Sequence, residues 1–261
     1  TFLLNNFLKE TYSSRKLELE KSIENLLDKN VDLGDYVGIR FLGISLGNSK
    51  INDKKNIDSE IKAKNVYVGI MPFRSFLKQK WIVKISPKEA AINIDRDFFK
   101  RDESYKNDRI TKKSQSKYEL NFSLNKYSDL KFNKAGLKTK VKGNVIYKSR
   151  NRQIIANVKS NFDEKGFLKF KFNTKLNQDF LKLDLFSKGL DLENSEYIIG
   201  NRKISFKKGT FKSNFKFNKS SKRTFCEGRF SFTNLKIKPE DFAENINSDS
   251  TRFFCKDNNL I

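Results

Sequence analysis

Residues 117–124 read KYELNFSL and residues 168–172 read LKFKF, and both place an apolar side chain at every second position. Tyr118, Leu120, Phe122 and Leu124 interleave with Lys117, Glu119, Asn121 and Ser123, as Leu168, Phe170 and Phe172 do with Lys169 and Lys171. The register persists in Leu137, Val141, Val145 and Tyr147 against Lys138, Lys140, Lys142 and Asn144. It returns in Leu181, Leu183 and Leu185, then in Phe211, Phe215 and Phe217, and again in Phe230 and Phe232. Successive side chains of an extended strand point to opposite faces, so the run from 117 to 233 predicts a long antiparallel sheet with one apolar and one wet face. Breaks near 134–136, 148–151, 164–166, 188–189, 200–201 and 208–209 space its strands as an up-and-down meander. The run contains no amphipathic helix long enough to cover such a sheet. The apolar face therefore either closes on itself as a sandwich or barrel, or stays open as a groove for an apolar ligand.

Upstream the period differs. Leu19, Ile23, Leu26 and Leu27 fall at helical spacing, which predicts an N-terminal amphipathic helix over 1–30. From Val31 the period becomes two, and Gly34, Gly38, Gly43 and Gly47 punctuate short strands up to Ile51. Residues 52–59 read as a polar loop, and Pro72 opens a short helix ending near Leu77. Trp81–Ser86 and Ala90–Asp95 read as a strand pair turning near Pro87. The organisation predicted is thus a helix over 1–30, a first β region over 31–95, a charged loop or linker over 96–116, a repetitive β segment over 117–238 and an irregular tail over 239–261.

Composition excludes more chemistry than it suggests. The 261 residues contain no His, which removes imidazole bases and His-ligated zinc. Carboxylates are scattered, and Asp95 and Asp97, flanking Arg96, suit turn chemistry better than acid and base work. No phosphate-binding glycine loop and no metalloprotease motif occur, so the chain reads as no enzyme, with no cofactor and no metal. The two Cys, Cys226 and Cys255, are spaced so as to permit a disulfide without indicating one. Lys and Arg total 54 against 31 acidic residues, a net charge of +23. The basic residues are spread over the polar positions of strand after strand, which suits a solvated outer face. A single-strand nucleic-acid groove needs aromatic and cation on one surface, whereas Phe170 and Phe172 lie opposite Lys169 and Lys171, so no specific nucleic acid is expected. Phe2, Leu3, Leu4, Phe7 and Leu8 suit either the tail of an upstream hydrophobic segment or the first turns of a soluble helix.

A helix followed by Val31, Leu33 and Gly34, then by Leu42, Gly43, Ile44, Leu46 and Gly47 with Ser49 and Ile51 after them, resembles the entry to the TamB family of the wider AsmA-like group. The likeness continues through Ala63–Met71, the Pro72–Phe73 turn and the hairpin after Trp81. It covers residues 15–100 at motif level and is closest in flavour to cyanobacterial TamB and its plastid envelope relatives. It implies a mainly β fold in which an N-terminal amphipathic helix precedes an elongated, taco-shaped antiparallel sheet with an apolar groove. It implies a periplasmic protein, or one of the plastid envelope intermembrane space, held to the inner membrane through an upstream anchor. The function implied is non-enzymatic: a segment of a β-groove bridge moving phospholipid between inner and outer membranes.

The expected partners are phospholipid acyl chains, lying against Tyr118, Leu120, Phe122, Leu124, Val141, Val145, Leu168, Phe170, Phe172, Leu181, Leu183, Phe215, Phe217, Phe230 and Phe232. Burying one acyl chain on such a surface gains on the order of 10 kcal/mol. The alternative implied by the same resemblance is a scaffold or assembly factor for outer-membrane protein biogenesis, working through exposed sheet edges and the outer-membrane assembly machinery.

Overall fold

Strands dominate the chain, as the alternation predicts, after one long helix at the N-terminus. The computed structural model describes residues 2–54, 56, 58–95, 118–132, 137–162, 165–175, 178–199, 202–221, 223–240, 242–256 and 259–260. The expected linker at 96–116 and the breaks at 134–136 and 200–201 lie outside the described residues. Two compact units divide the chain, Thr1–Ser128 and Asp129–Ile261, so the boundary between them falls within a strand, β7 (Tyr118–Phe132).

In the first unit α1 (Phe2–Leu27) lies against a long broken hairpin made of β1 (Asn30–Asp32), β2 (Tyr36–Arg40), β3 (Gly43–Leu46) and β4 (Ser49–Asn52). β1 pairs with β4 and β2 with β3, and both halves dock along β5 (Glu60–Ile70). At the break, a Cβ on Gly34 would lie 2.4 Å from the carbonyl carbon of Gly47, so the backbones cross where only glycine fits. The apolar stripe expected on α1 is not the one turned inward. Leu19 and Leu27 stay exposed and Ile23 is half-buried, while Tyr12 is buried beside Leu46 and Val66. The reason is hydrogen bonding. The N–H groups of Val31 and Leu33 donate to the carboxylates of Glu24 and Glu20 at 3.0 and 2.8 Å, and these bonds hold the carboxylate-bearing face against the strands.

The short helix α2 (Pro72–Lys78) forms with Pro72 in its first turn, as read from the sequence. The strand pair expected around Pro87 is instead one strand, β6 (Trp81–Ile94), paired with β5 throughout. Pro87 faces Val66 next to Asn65, whose φ of 48° interrupts the ladder, so a residue without an N–H is accommodated there.

The second unit follows the order β8 (Leu137–Lys148), β9 (Gln153–Asn161), β10 (Phe167–Lys175), β11 (Phe180–Asp191), β13 (Arg202–Lys219), β14 (Thr224–Pro239), β15 (Ile246–Lys256) and β16 (Asn259–Leu260), with β12 (Ser195–Ile199) paired to β13. All the pairings given for these strands are antiparallel, and β16 pairs only with β15, so the sheet does not close into a barrel. It is nevertheless curved, because β12 comes within reach of β8.

The breaks expected at 188–189 and 208–209 are irregularities inside β11 and β13. At the second, Gly209 and Asn234 adopt positive φ. The shift lets Phe206, Leu235 and Ile237 pack with Leu190, Phe211 and Phe232, which strict alternation would forbid. The tail expected to be irregular from 239 contains β15, a full partner of β14. Cys226 on β14 and Cys255 on β15 are joined by a disulfide with Cα atoms 5.6 Å apart.

Candidate functional site

Directly opposed residues of an antiparallel pair share a face, so the pairing registers decide which predicted residues come together. One row runs Val145, Ala156, Phe172, Leu183, Phe217, Cys226 across β8, β9, β10, β11, β13 and β14. With strands about 4.8 Å apart, that row of six spans about 24 Å. The next runs Gly143, Val158, Phe170, Leu185, Phe215, Gly228, Cys255. Val141, Ser160 and Leu168 continue the face on one side, and Thr174 with Leu181 on the other. Ser213, Phe230 and Phe253 form a further row, and Phe211, Phe232 and Thr251 another. Every one of the eleven predicted positions in this unit, from Val141 to Phe232, therefore lies on a single face.

The two faces differ in burial on β10–β15, whereas on β8 and β9 the wet-face residues Lys142, Asn144, Ile146, Ile155 and Lys159 are half-buried too. Val141, Ala156, Cys226 and Cys255 are buried, and Phe170, Phe172, Leu183, Phe215, Phe217 and Phe230 are half-buried. On the other face Lys169, Lys171, Lys182, Asp184, Lys212 and Lys216 are exposed. Among the described residues the second unit contains no α-helix, only a 3₁₀ turn at Ser149–Asn151. Serines interrupt the apolar face without orphaning their hydroxyls: Ser187 Oγ donates to Phe167 O at 2.9 Å and Ser213 Oγ to Leu185 O at 3.3 Å. Edge-on and stacked ring pairs join Phe215 to Phe230 and Phe230 to Phe253.

Tyr118, Leu120, Phe122 and Leu124 belong to the first unit, on β7. There Phe122 is exposed while Glu119, expected on the wet face, is buried with its carboxylate 2.5 Å from Lys80 Nζ. The residues of the family-like motif are structural. Val31 and Leu46 are buried, Ser49 Oγ accepts the Gly34 N–H at 2.9 Å, and Ile51 pairs with Val31 and with Ile61. Leu42 turns the β2–β3 hairpin, and a Cβ on Gly43 would meet the carbonyl oxygen of Val68.

Sequence reasoning missed aromatic residues on the wet face. Phe167, Phe180 and Phe186 share it with lysines: Lys159 Nζ sits 4.7 Å from the Phe167 ring centre and Lys175 Nζ 5.3 Å from that of Phe180. The signal available was the doublets, Leu185–Phe186 and Phe253–Phe254, in which each face receives one apolar residue. Comparison with protein-family models, with curated proteins and with solved structures finds no match to the chain.

Proposed function

We propose that the second unit carries lipid acyl chains on its apolar face, as a non-enzymatic segment of a bridge that moves phospholipid between two membranes of a cell envelope or plastid envelope. The observation that carries this reading is the shared apolar face from β8 to β15, half-buried in a unit that contains no α-helix among its described residues. A flat bare sheet would expose both faces alike. Deeper burial of one face over β10–β15, in a sheet curved enough for β12 to approach β8, is what a trough produces: side chains converge inside and splay outside. Packing in such a trough asks for apolar area and no particular hydrogen bonds, which suits chains that slide. The Cys226–Cys255 disulfide fits an oxidising compartment such as the periplasm. The motif-level resemblance to the TamB family over residues 15–100 points the same way, and with it come the proposals of an upstream inner-membrane anchor and of contact with outer-membrane assembly machinery. The test is native mass spectrometry of the purified chain, in which phospholipid masses should accompany the protein and disappear in variants charged on the apolar face. Protein that carries no lipid even after incubation with phospholipid vesicles would refute the reading.

A further inference from the structure

The end of the first unit formed by the β2–β3 turn and α2 wears its large apolar side chains on the outside. Phe41 is 87% exposed at the turn; on α2, Phe73, Phe76 and Leu77 are 76%, 83% and 65% exposed, and Trp81 follows at 61%. Hydrogen bonds gather these pieces. Tyr67 Oη donates to Phe41 O at 2.8 Å, the Ile70 N–H to Leu42 O at 2.9 Å, and the Met71 N–H to Ile82 O at 2.9 Å. α1 runs antiparallel to the strand it contacts, with Glu24 on Val31, Glu20 on Leu33 and Asn5 on Tyr36, so its first turn, with Phe2 and Leu3 exposed, extends toward the same end.

Folding alone does not account for this end. Short helices in water are held mainly by burying one face, and α2 buries none of its side chains. The β2–β3 turn places Leu42 at φ 58°, a position that Gly or Asn takes without strain, and fills it with an apolar side chain. The charge is also one-sided. Segments 1–9, 36–51 and 61–88 contain no Asp or Glu, whereas Lys9, Arg40, Arg74, Lys78, Lys80 and Lys84 fall within them. Glu119 from β7 engages Lys80 and Lys78, while Arg40 and Arg74 form no ion pair among the described residues.

We propose that this end is a membrane foot: it seats in the headgroup region of an anionic bilayer, with Phe41, Phe73, Phe76 and Trp81 at the acyl boundary and Arg40, Arg74 and Lys78 against lipid phosphates. A bilayer matches the surface on both counts. It accepts protruding rings without requiring shape complementarity, favours Trp at its interface, and supplies negative charge around the apolar patch. The inference stands on the first unit alone and is independent of what the second unit carries.

Trp81 is the chain's single Trp, so its fluorescence reports this end directly. The full chain is titrated with phosphatidylcholine vesicles and with mixed phosphatidylcholine–phosphatidylglycerol vesicles, with and without brominated lipid. A blue shift and bromine quenching on the mixed vesicles are expected. The variant F73S/F76S, unchanged in circular dichroism because both rings are exposed, should partition about tenfold more weakly for each ring removed. R40Q/R74Q should lose about fivefold per charge on the anionic vesicles only. Absence of shift and quenching, or variants that bind as the parent does, overturns the proposal. So does a blue shift without lipid that rises with protein concentration alongside a doubled mass in light scattering, since a second copy would then be the occupant.

Discussion

Replacing Phe172 with Asp puts a charge at the middle of the apolar face, between Ala156 on β9 and Leu183 on β11. The ring is half-buried, so losing it forfeits about 1 kcal/mol of burial, roughly half the value of a fully buried side chain. In an open trough the carboxylate still reaches water, and the total cost stays at about 1–2 kcal/mol, well inside the usual stability of a domain. In a closed core the same carboxylate is stranded without a partner, which adds about 3–5 kcal/mol. For a bound acyl chain, loss of contact with two or three methylenes at about 0.8 kcal/mol each lowers occupancy by about thirtyfold. Phe217 in the same row serves as an independent site, and Phe172→Leu is the control that keeps the apolar contact. Thermal unfolding and lipid content are measured on the same preparations. Expected are folded Asp variants stripped of lipid, beside a Leu variant that retains it. Folded Asp variants with full lipid content would refute the trough, and unfolding of both would mean that the face is a closed core.

Three further outcomes follow from the packing. Cys255→Ser opens a link spanning 29 residues of sequence, worth about 3.5 kcal/mol by loop entropy, and should free β15 from β14; amide exchange ought to quicken in β15 and β16 ahead of β9–β11. Glu119→Gln leaves Lys80 without its buried counter-charge and should destabilise the first unit by about 3 kcal/mol, whereas Glu119→Leu with Lys80→Met should recover most of that loss in urea melts. Tyr12, whose hydroxyl donates to Gly34 O at 2.7 Å, has its pKa pushed up to about 12, first by burial and then by Glu20, Asp35 and Asp32. The unfolded chain therefore loses this proton at lower pH than the folded one, so stability present below about pH 10 declines as pH rises toward 12; Tyr12→Phe should remove that component of the alkaline melt.

The apolar face was legible because period two survives wherever strands pair without interruption. Phe170, Phe172, Leu183, Phe215 and Phe217 needed only parity to be placed together. Parity fails at a bulge, and Phe206 and Phe211, five apart, pack in one cluster only because the register shifts between them, with Gly209 at positive φ on β13 and Asn234 at positive φ on the paired β14. Pro87 was read as a turn because proline ordinarily ends a ladder, and the compensating left-handed Asn65 sits 22 positions upstream on another strand, where no local pattern points to it. β15 was missed because Ile246–Lys256 is mostly polar and takes its strand form from β14. The face of α1 went astray for a related reason. Helical periodicity counts apolar residues, whereas Glu20 and Glu24 are turned inward by N–H groups of another element. The exposed end of the first unit was visible only as composition, since exposure depends on what fails to pack against α2 and the β2–β3 turn.

On the proposed function, an apolar face open to water would have a competitor for lipid, namely a second copy of itself, and the chain's charge bears on that competition. Two such faces would stack about 10 Å apart, burying rings on both sides and emptying the trough. Part of the net charge of +23 stands on the opposite face, where Lys169, Lys171, Lys182, Lys212 and Lys216 lie along adjacent strands, and at low ionic strength, where screening reaches about 30 Å, these lysines oppose the stacking of two copies. A sliding acyl chain is neutral and meets no such barrier. At one edge β1 has three residues beside α1, too few to template an added strand; at the other, β16 covers only Cys255 and Lys256, and the remainder of β15 is mostly polar. If the face is open as proposed, the wet-face lysines are its counterpart. Reversing Lys169, Lys171, Lys182, Lys212 and Lys216 to Glu inverts the sign of that face and lowers the net charge from +23 by two per substitution; it should then promote association at low salt through the apolar face, and phospholipid should suppress it by occupying that face first.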